Sequence, residues 1–342
     1  MHVMQLPEKK FDPIGESLNE NIMQSYRPID FKNWLPVRLF TDKDTWKLKW
    51  LYMHDVQFDR PFFDETIGRL TTRSSLPSAP VPARTTPLEA LPEIADALDA
   101  VSPSLLIFHT SRCGSTLVSQ VLSLNPAFIV VSEYLLIDRI LRITDDDPSI
   151  SAAYRDCLLK ALFKVVGQKR FGREEALIVK MDPWDFVFFE HLSLLFPKSR
   201  KVLMFRDPDA IWASIQKRQG MQFVPQLVPP KYFDIDLGNE YFPDLYCDLV
   251  LQKMYGFIRT ISQKDKSVLL LNYHDDMRKN IQALFEFIQL GPGAVDAAAL
   301  EARLSRHSKY PDREFVPVAK AYGAGPISRK TRDAYLGILN DR

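Results

Sequence analysis

The chain has 342 residues, 46% hydrophobic and 25% charged, which provides for a sizeable buried core and argues against wholesale disorder. Its 44 basic and 43 acidic residues leave a formal net charge of +1, which removes the global electrostatic case for a nucleic-acid or membrane-surface protein, so any anion site must be local. Cys113, Cys157 and Cys247 stand singly, which excludes a disulfide framework and the usual cysteine zinc sites; with no leader-like or membrane-length apolar run, a cytoplasmic chain is expected.

Residues 1–72 are rich in aromatics (Trp34, Phe40, Trp46, Trp50, Tyr52, Phe58, Phe62, Phe63) without a clean period, and read as a small accessory region packed on something larger. Residues 73–100 include RSSLPSAPVPARTTPLEALPE, where crowded proline, serine and threonine predict an extended linker, with a short helix starting near Leu88. From residue 101 to 342 the pattern changes. LLIF at 105–108, FIVV at 128–131, LIVK at 177–180, VLMF at 202–205 and VLLL at 268–271 predict five strands. Continuous apolarity means that both sheet faces are covered. The predicted fold is therefore an α/β, P-loop-like doubly wound domain with a central, mostly parallel five-stranded sheet flanked by helices.

Such sheets bind ligands beyond the carboxyl ends of their strands, so the residues after each run come first. After LLIF stands His109-Thr110-Ser111-Arg112-Cys113-Gly114-Ser115-Thr116, then the amphipathic LVSQVLSL, whose Leu117, Val121, Leu122 and Leu124 fit one buried face. A helix start leaves amide donors unpaired and carries partial positive charge, so an arginine there calls for an anion. Gly114 lets the backbone approach it, and Ser115 and Thr116 add hydroxyls. The plainer alternative is a serine cap with Arg112 in solvent. The loop lacks the first glycine and the lysine of G-x-x-x-x-G-K-[ST], which disfavours a magnesium-ATP site. His109, at a buried strand end, reads as a loop-supporting group rather than a base.

After VLMF stands Arg206-Asp207-Pro208-Asp209-Ala210-Ile211-Trp212-Ala213-Ser214. Asp207 is placed to cap a helix with Pro208 at its first position, while Arg206 leaves the strand end and Ser214 lies about two turns on; the two suit a second anion. The competing reading is an arginine paired with Asp207 or Asp209.

The two motifs in this order resemble those of the PAPS-dependent sulfotransferases, bacterial type, over roughly residues 102–292, with the FPKSRKVLMFRDP approach and LLLNYHDDMRKNIQALFEFIQL in support. The resemblance implies sulfuryl transfer from PAPS, giving PAP, to a hydroxyl or amine of a small-molecule acceptor, with no metal. It implies that Arg112 holds the sulfuryl group in place of the lysine of cytosolic members. It places PAPS against the loop Ser111, Arg112, Cys113, Gly114, Ser115 and Thr116, with the 5′-phosphate on Gly114, Ser115 and Thr116, and the 3′-phosphate on Arg206 and Ser214. Two carboxylates compete as general base: Glu133 after FIVVS, favoured, and Asp182 in Lys180-Met181-Asp182-Pro183, which also reads as a turn or cap. Lys180 reads as a second cation near the sulfuryl group, or as a lysine snorkelling from a strand end.

Residues 220–247, with prolines and aromatics and no period, read as a lid for the acceptor or as a surface insertion. Trp184 suits either adenine stacking or core packing. From Glu301 onward nine basic residues face five acidic ones; Lys320, Gly323, Gly325, Arg329 and Lys330 match only loosely the segment with which the family closes over the 3′-phosphate, and a solvated basic face is the plain alternative. A P-loop kinase and a non-catalytic nucleotide-binding scaffold are the competing functions.

Overall fold

Residues 27–73, 81–216, 220–238, 242–291, 293–306, 308 and 325–342 are described by a computed structural model. In chain order the elements are β1 (Trp34–Asp42), β2 (Thr45–Tyr52), α1 (Phe63–Arg73), β3 (Ala83–Pro87), α2 (Leu91–Asp96), β4 (Pro103–His109), α3 (Ser115–Leu122), β5 (Phe128–Ser132), α4 (Leu135–Leu141), α5 (Ile143–Asp146), α6 (Ala152–Val166), β6 (Ala176–Lys180), α7 (Phe189–Leu195), β7 (Arg200–Phe205), α8 (Pro208–Ile215), α9 (Pro243–Lys264), β8 (Leu269–Asn272), α10 (Met277–Phe287), α11 (Ala297–Leu304) and α12 (Arg329–Asn340).

The five apolar runs form one parallel sheet, ordered β5-β6-β4-β7-β8. Alternate side chains of each strand serve opposite faces. Leu106, Phe108, Val131, Val179, Leu203 and Phe205 enter one large hydrophobic core, whereas Leu105, Ile107, Val130, Ile178, Val202 and Met204 enter a second, smaller one. Two covered faces explain why the runs are apolar throughout. From β4 the chain moves out to the β5 edge and back to β6; it then crosses to β7 and on to β8. The connections after β4 and β7 therefore diverge, and a crevice opens between them at the carboxyl ends.

The first strands form a separate antiparallel sheet, β1-β2-β3. Its third strand lies inside the stretch expected as a linker. Ala83–Pro87 is extended, but it pairs with β2 through Leu48↔Thr86 and Trp50↔Arg84, and the Trp50 indole donates to Thr86 Oγ1 at 3.0 Å. Leu88, Leu91 and Ile94 then join the same core as Leu35, Trp50 and the β4 side chain Leu106. The β-branched Thr85 and Thr86 suit a pleated strand, a signal that the neighbouring prolines outweigh in the sequence. Gln168, just after α6, ties the small sheet to the larger domain: its amide nitrogen donates to Trp34 O at 2.9 Å, and its oxygen accepts from the Asn33 amide at 2.6 Å.

Among the described residues no helix is long and apolar enough to cross a membrane.

Candidate functional site

The loop after β4 turns by left-handed backbone. Ser111 (φ 66°), Arg112 (φ 52°) and Gly114 (φ 82°) all take positive φ just before α3. Non-glycine residues avoid that region, and such local strain concentrates at sites that use it. Left-handed turns of this kind at a helix start can turn backbone amides towards an anion, and the eight-residue α3 that follows has no side-chain cap of its own. A Cβ on Gly114 would lie 2.8 Å from both Met277 Cε and Tyr273 Cδ2, so glycine is required for contact as well as for φ. Cys113 is fully buried in the smaller core, which leaves its amide but not its thiol to the loop. Ser115 and Thr116 are buried at the helix start. On α3 the buried face runs through Val118, Val121 and Leu122, while Leu117 and Leu124 are half-buried.

His109 supports this turn. Its Nδ1 accepts from the Ser111 amide at 3.1 Å, so a neutral ring carries its proton on Nε2, which lies 3.1 Å from Met181 O. Burial holds its pKa below the usual histidine value.

The loop after β7 approaches from the other side of the crevice. Asp207 caps α8 by accepting from the Ala210 amide at 2.9 Å, with Pro208 opening the helix. Arg206 Nη1 donates to Arg112 O at 3.0 Å, its guanidinium lies 4.4 Å from the centre of the Tyr273 ring, and its own carbonyl accepts from Tyr255 OH at 2.6 Å. The expected partners Asp207 and Asp209 are engaged elsewhere: Asp209 takes a bidentate bond from Arg332, both arms 2.7 Å. Ser214 is half-buried near the end of α8. The two arginine-bearing loops thus converge, with Tyr273 packed on both. Tyr273 follows β8 and sits inside the segment already noted, but only the fold shows that it bridges the motifs.

The ends of β5 and β6 complete the crevice. Lys180 is fully buried; its Nζ lies 2.7 Å from Glu133 Oε1 and 3.4 Å from Thr116 Oγ1. This is a partnered cation pointing at the helix start rather than a snorkelling one. Glu133 is held at φ 52° by its amide's bond to Lys180 O at 2.8 Å, and its Oε1 is 3.5 Å from His109 Nε2. Burial alone would push the Glu133 carboxyl up, but the Lys180 charge and the His109 hydrogen bond outweigh it and hold the pKa far below the usual carboxylate range.

Asp182 has the opposite surroundings. Burial, then the negative charge of Asp185, push its carboxyl well above the ordinary value, which favours the protonated form. Its amide donates to Asp185 Oδ2 at 2.9 Å, and burial followed by the charge of Asp138 pushes Asp185 up as well. These two groups hold protons in the fold that the unfolded chain gives up above about pH 4, so stability falls as pH rises from there towards the raised native values. Asp185→Asn is expected to raise the thermal midpoint at neutral pH and flatten its pH dependence; an unaltered pH slope in thermal denaturation would count against this.

Trp184 is buried and donates to Asp138 Oδ1 at 2.7 Å. Core packing, not adenine stacking, is its role. The segment expected as a lid is also partly core: Phe223, Val228, Phe233 and Tyr246 are fully buried, and α9 begins at Pro243. Met221, Leu227, Phe242 and Leu245 are the exposed apolar side chains from this stretch; residues 239–241 lie outside the described ones. Near the C-terminus, Lys320 and Gly323 also lie outside the described residues. A Cβ on Gly325 would meet Trp212 Cε3 at 2.9 Å, Arg329 lies 3.6 Å from Asp333, and Lys330 is exposed. The Arg332–Asp209 pair nevertheless docks α12 on the helix that carries Ser214.

No family model matches the chain, and no curated protein matches it. Solved structures do. A sulfotransferase domain from the curacin biosynthetic pathway is 14% identical with a TM-score of 0.48, over 70% of this chain and 99% of that one. A Mycobacterium avium sulfotransferase is 16% identical with a TM-score of 0.45, over 75% and 80%. A mouse sulfotransferase complexed with PAP is 12% identical with a TM-score of 0.34, over 74% and 88%. The chain thus matches several sulfotransferase structures, bacterial and mammalian, at low sequence identity.

Proposed function

We propose that the chain is a sulfotransferase that moves a sulfuryl group from PAPS to a hydroxyl or amine of a small-molecule acceptor. The observation that carries this reading is the contact of Arg206 Nη1 with Arg112 O at 3.0 Å, which joins two anion-suited loops from either side of the sheet's switch point. One doubly phosphorylated nucleotide can span such loops. The donor set fits it: backbone amides of the turn from Arg112 to Gly114, with the Ser111 amide engaged by His109, hydroxyls at Ser111, Ser115, Thr116 and Ser214, and two guanidinium groups suited to oxyanions.

When bound, PAPS supplies an activated sulfuryl group whose leaving group is a phosphate. Arg112 and Lys180 stabilise the negative charge that grows on the oxygens around the transferring sulfur, and the full burial of Lys180 strengthens its share. Arg206 and Ser214 hold the 3′-phosphate. Glu133, kept ionised beside Lys180, takes the proton of the acceptor as its oxygen forms the new bond to sulfur and the bond from sulfur to the phosphate oxygen breaks. Asp182, whose ionised form burial and the charge of Asp185 disfavour, is less suited to that task. The overall step is an in-line displacement that needs positioning and electrostatics.

Calorimetric titration with adenosine 3′,5′-bisphosphate and with magnesium-ADP separates this reading from a kinase. The bisphosphate is expected to bind at least about tenfold tighter, a difference of roughly 1.4 kcal/mol. Equal affinities, or preference for magnesium-ADP, would falsify it.

A further inference from the structure

Residues before β4 lie outside both anion motifs, yet they reach the Glu133–Lys180 pair. The Phe62 ring centre lies 4.8 Å from Lys180 Nζ, close enough for a cation–π contact, and the ring is only half-buried. Phe63 packs on Tyr134, the residue after Glu133, with ring centres 4.1 Å apart. The Tyr134 hydroxyl donates to Pro36 O of β1, and β1 is paired with β2 along its length. Asp64 opens α1 beside these rings and is exposed. Although the residue keeps an open face to solvent, the atoms packed around its carboxyl and the charge of Glu133 both raise its pKa, so the two carboxylates share one neighbourhood.

We propose that this N-terminal unit forms the acceptor wall of the site, with Phe62 and Asp64 selecting an acceptor that presents an aromatic or apolar body and bears no negative charge. The inference rests on the sulfotransferase reading and deepens it. The argument is one of charge placement. The cations Arg112 and Arg206 stand on the two loops assigned to the nucleotide, and Lys180 is already matched by Glu133. The wall facing that pair offers a ring and one further carboxylate, with the donor's own anionic groups beyond. A carboxylate or sulfate on the acceptor would meet Asp64 and the donor unscreened, whereas a neutral phenol or an ammonium would not. Phe62 supplies flat apolar area at little conformational cost.

Three phenols of similar size serve as probes with PAPS and the full chain: 2-naphthol, tyramine and 4-hydroxyphenylacetate. The first two are expected to be sulfated with kcat/KM at least about tenfold above the carboxylate, a discrimination worth roughly 1.4 kcal/mol. Asp64→Lys is expected to narrow or reverse that gap. Phe62→Leu is expected to raise the acceptor KM while calorimetric affinity for adenosine 3′,5′-bisphosphate and the thermal midpoint hold. Preference for the carboxylate, an unchanged gap in Asp64→Lys, or a Phe62→Leu loss shared equally by bisphosphate and acceptor overturns the assignment. So does the absence of turnover with all three probes when the bisphosphate still binds, and in that case the donor reading stands while the acceptor wall falls.

Discussion

Glutamine in place of Glu133 is expected to lower kcat for sulfuryl transfer by about 10²- to 10⁴-fold, the range that a positioned general base contributes. Glutamine keeps the size and the strained backbone position but cannot take a proton. It also leaves the fully buried Lys180 without its carboxylate, and unpairing a buried ion is costly, so a loss of stability accompanies the loss of rate. Pairing Glu133→Gln with Lys180→Met tests the stability part alone, because the double variant removes both charges: its thermal midpoint is expected to recover, while turnover stays low because Lys180 is itself part of the transfer site. Asp182→Asn, by contrast, should retain most of its turnover, since burial and the charge of Asp185 disfavour the ionised carboxylate that a base requires. Steady-state rates with PAPS decide between the carboxylates. Full activity in Glu133→Gln, or an equal loss in Asp182→Asn, removes Glu133 from the role.

Alanine in place of Arg206 is expected to weaken binding of adenosine 3′,5′-bisphosphate by about 1.5–3 kcal/mol, or roughly 10- to 150-fold, the worth of hydrogen bonds to a charged group. The side chain acts twice. It offers charge to the 3′-phosphate, and through Nη1 it pins the carbonyl of Arg112, whose backbone sits in a region that most residues avoid. Releasing that carbonyl loosens the first loop, so kcat falls along with affinity. Arg206→Lys keeps the charge without the planar fork and should fall between the two. Calorimetry against the parent measures this directly, and an unchanged affinity for Arg206→Ala would remove the second loop from the nucleotide site.

The five strands were legible because burial on both faces leaves an unbroken apolar signature, and the motif residues were legible because they directly follow those strands. Arg112, Arg206 and Glu133 follow their strands and Lys180 ends its own, which is what marks them as candidates in the sequence. The contacts among them were not, since an arginine's fork meeting a carbonyl 94 residues away leaves no local trace. The contact of Phe62 with Lys180 is silent in the sequence for the same reason, with nothing in PFFDET to mark it. Strand β3 was misread because proline and serine around it mimic a linker, although its pairing needs only Ala83–Pro87. The roles of Asp182 and Trp184 depend on depth of burial. An Asp-Pro turn and an indole beside an apolar helix look alike in sequence whether they face a cleft or the core.

The order β1-β2-β3 places β2 between a partner that precedes it and one that follows some 30 residues later. During synthesis the β1–β2 hairpin emerges with one whole side of β2 bare, its backbone donors and acceptors unclaimed until Ala83–Pro87 leaves the ribosome. Nascent chains halted between those points would present a sticky ribbon to one another, so expression yield should respond to translation pauses in that window more than to pauses after it.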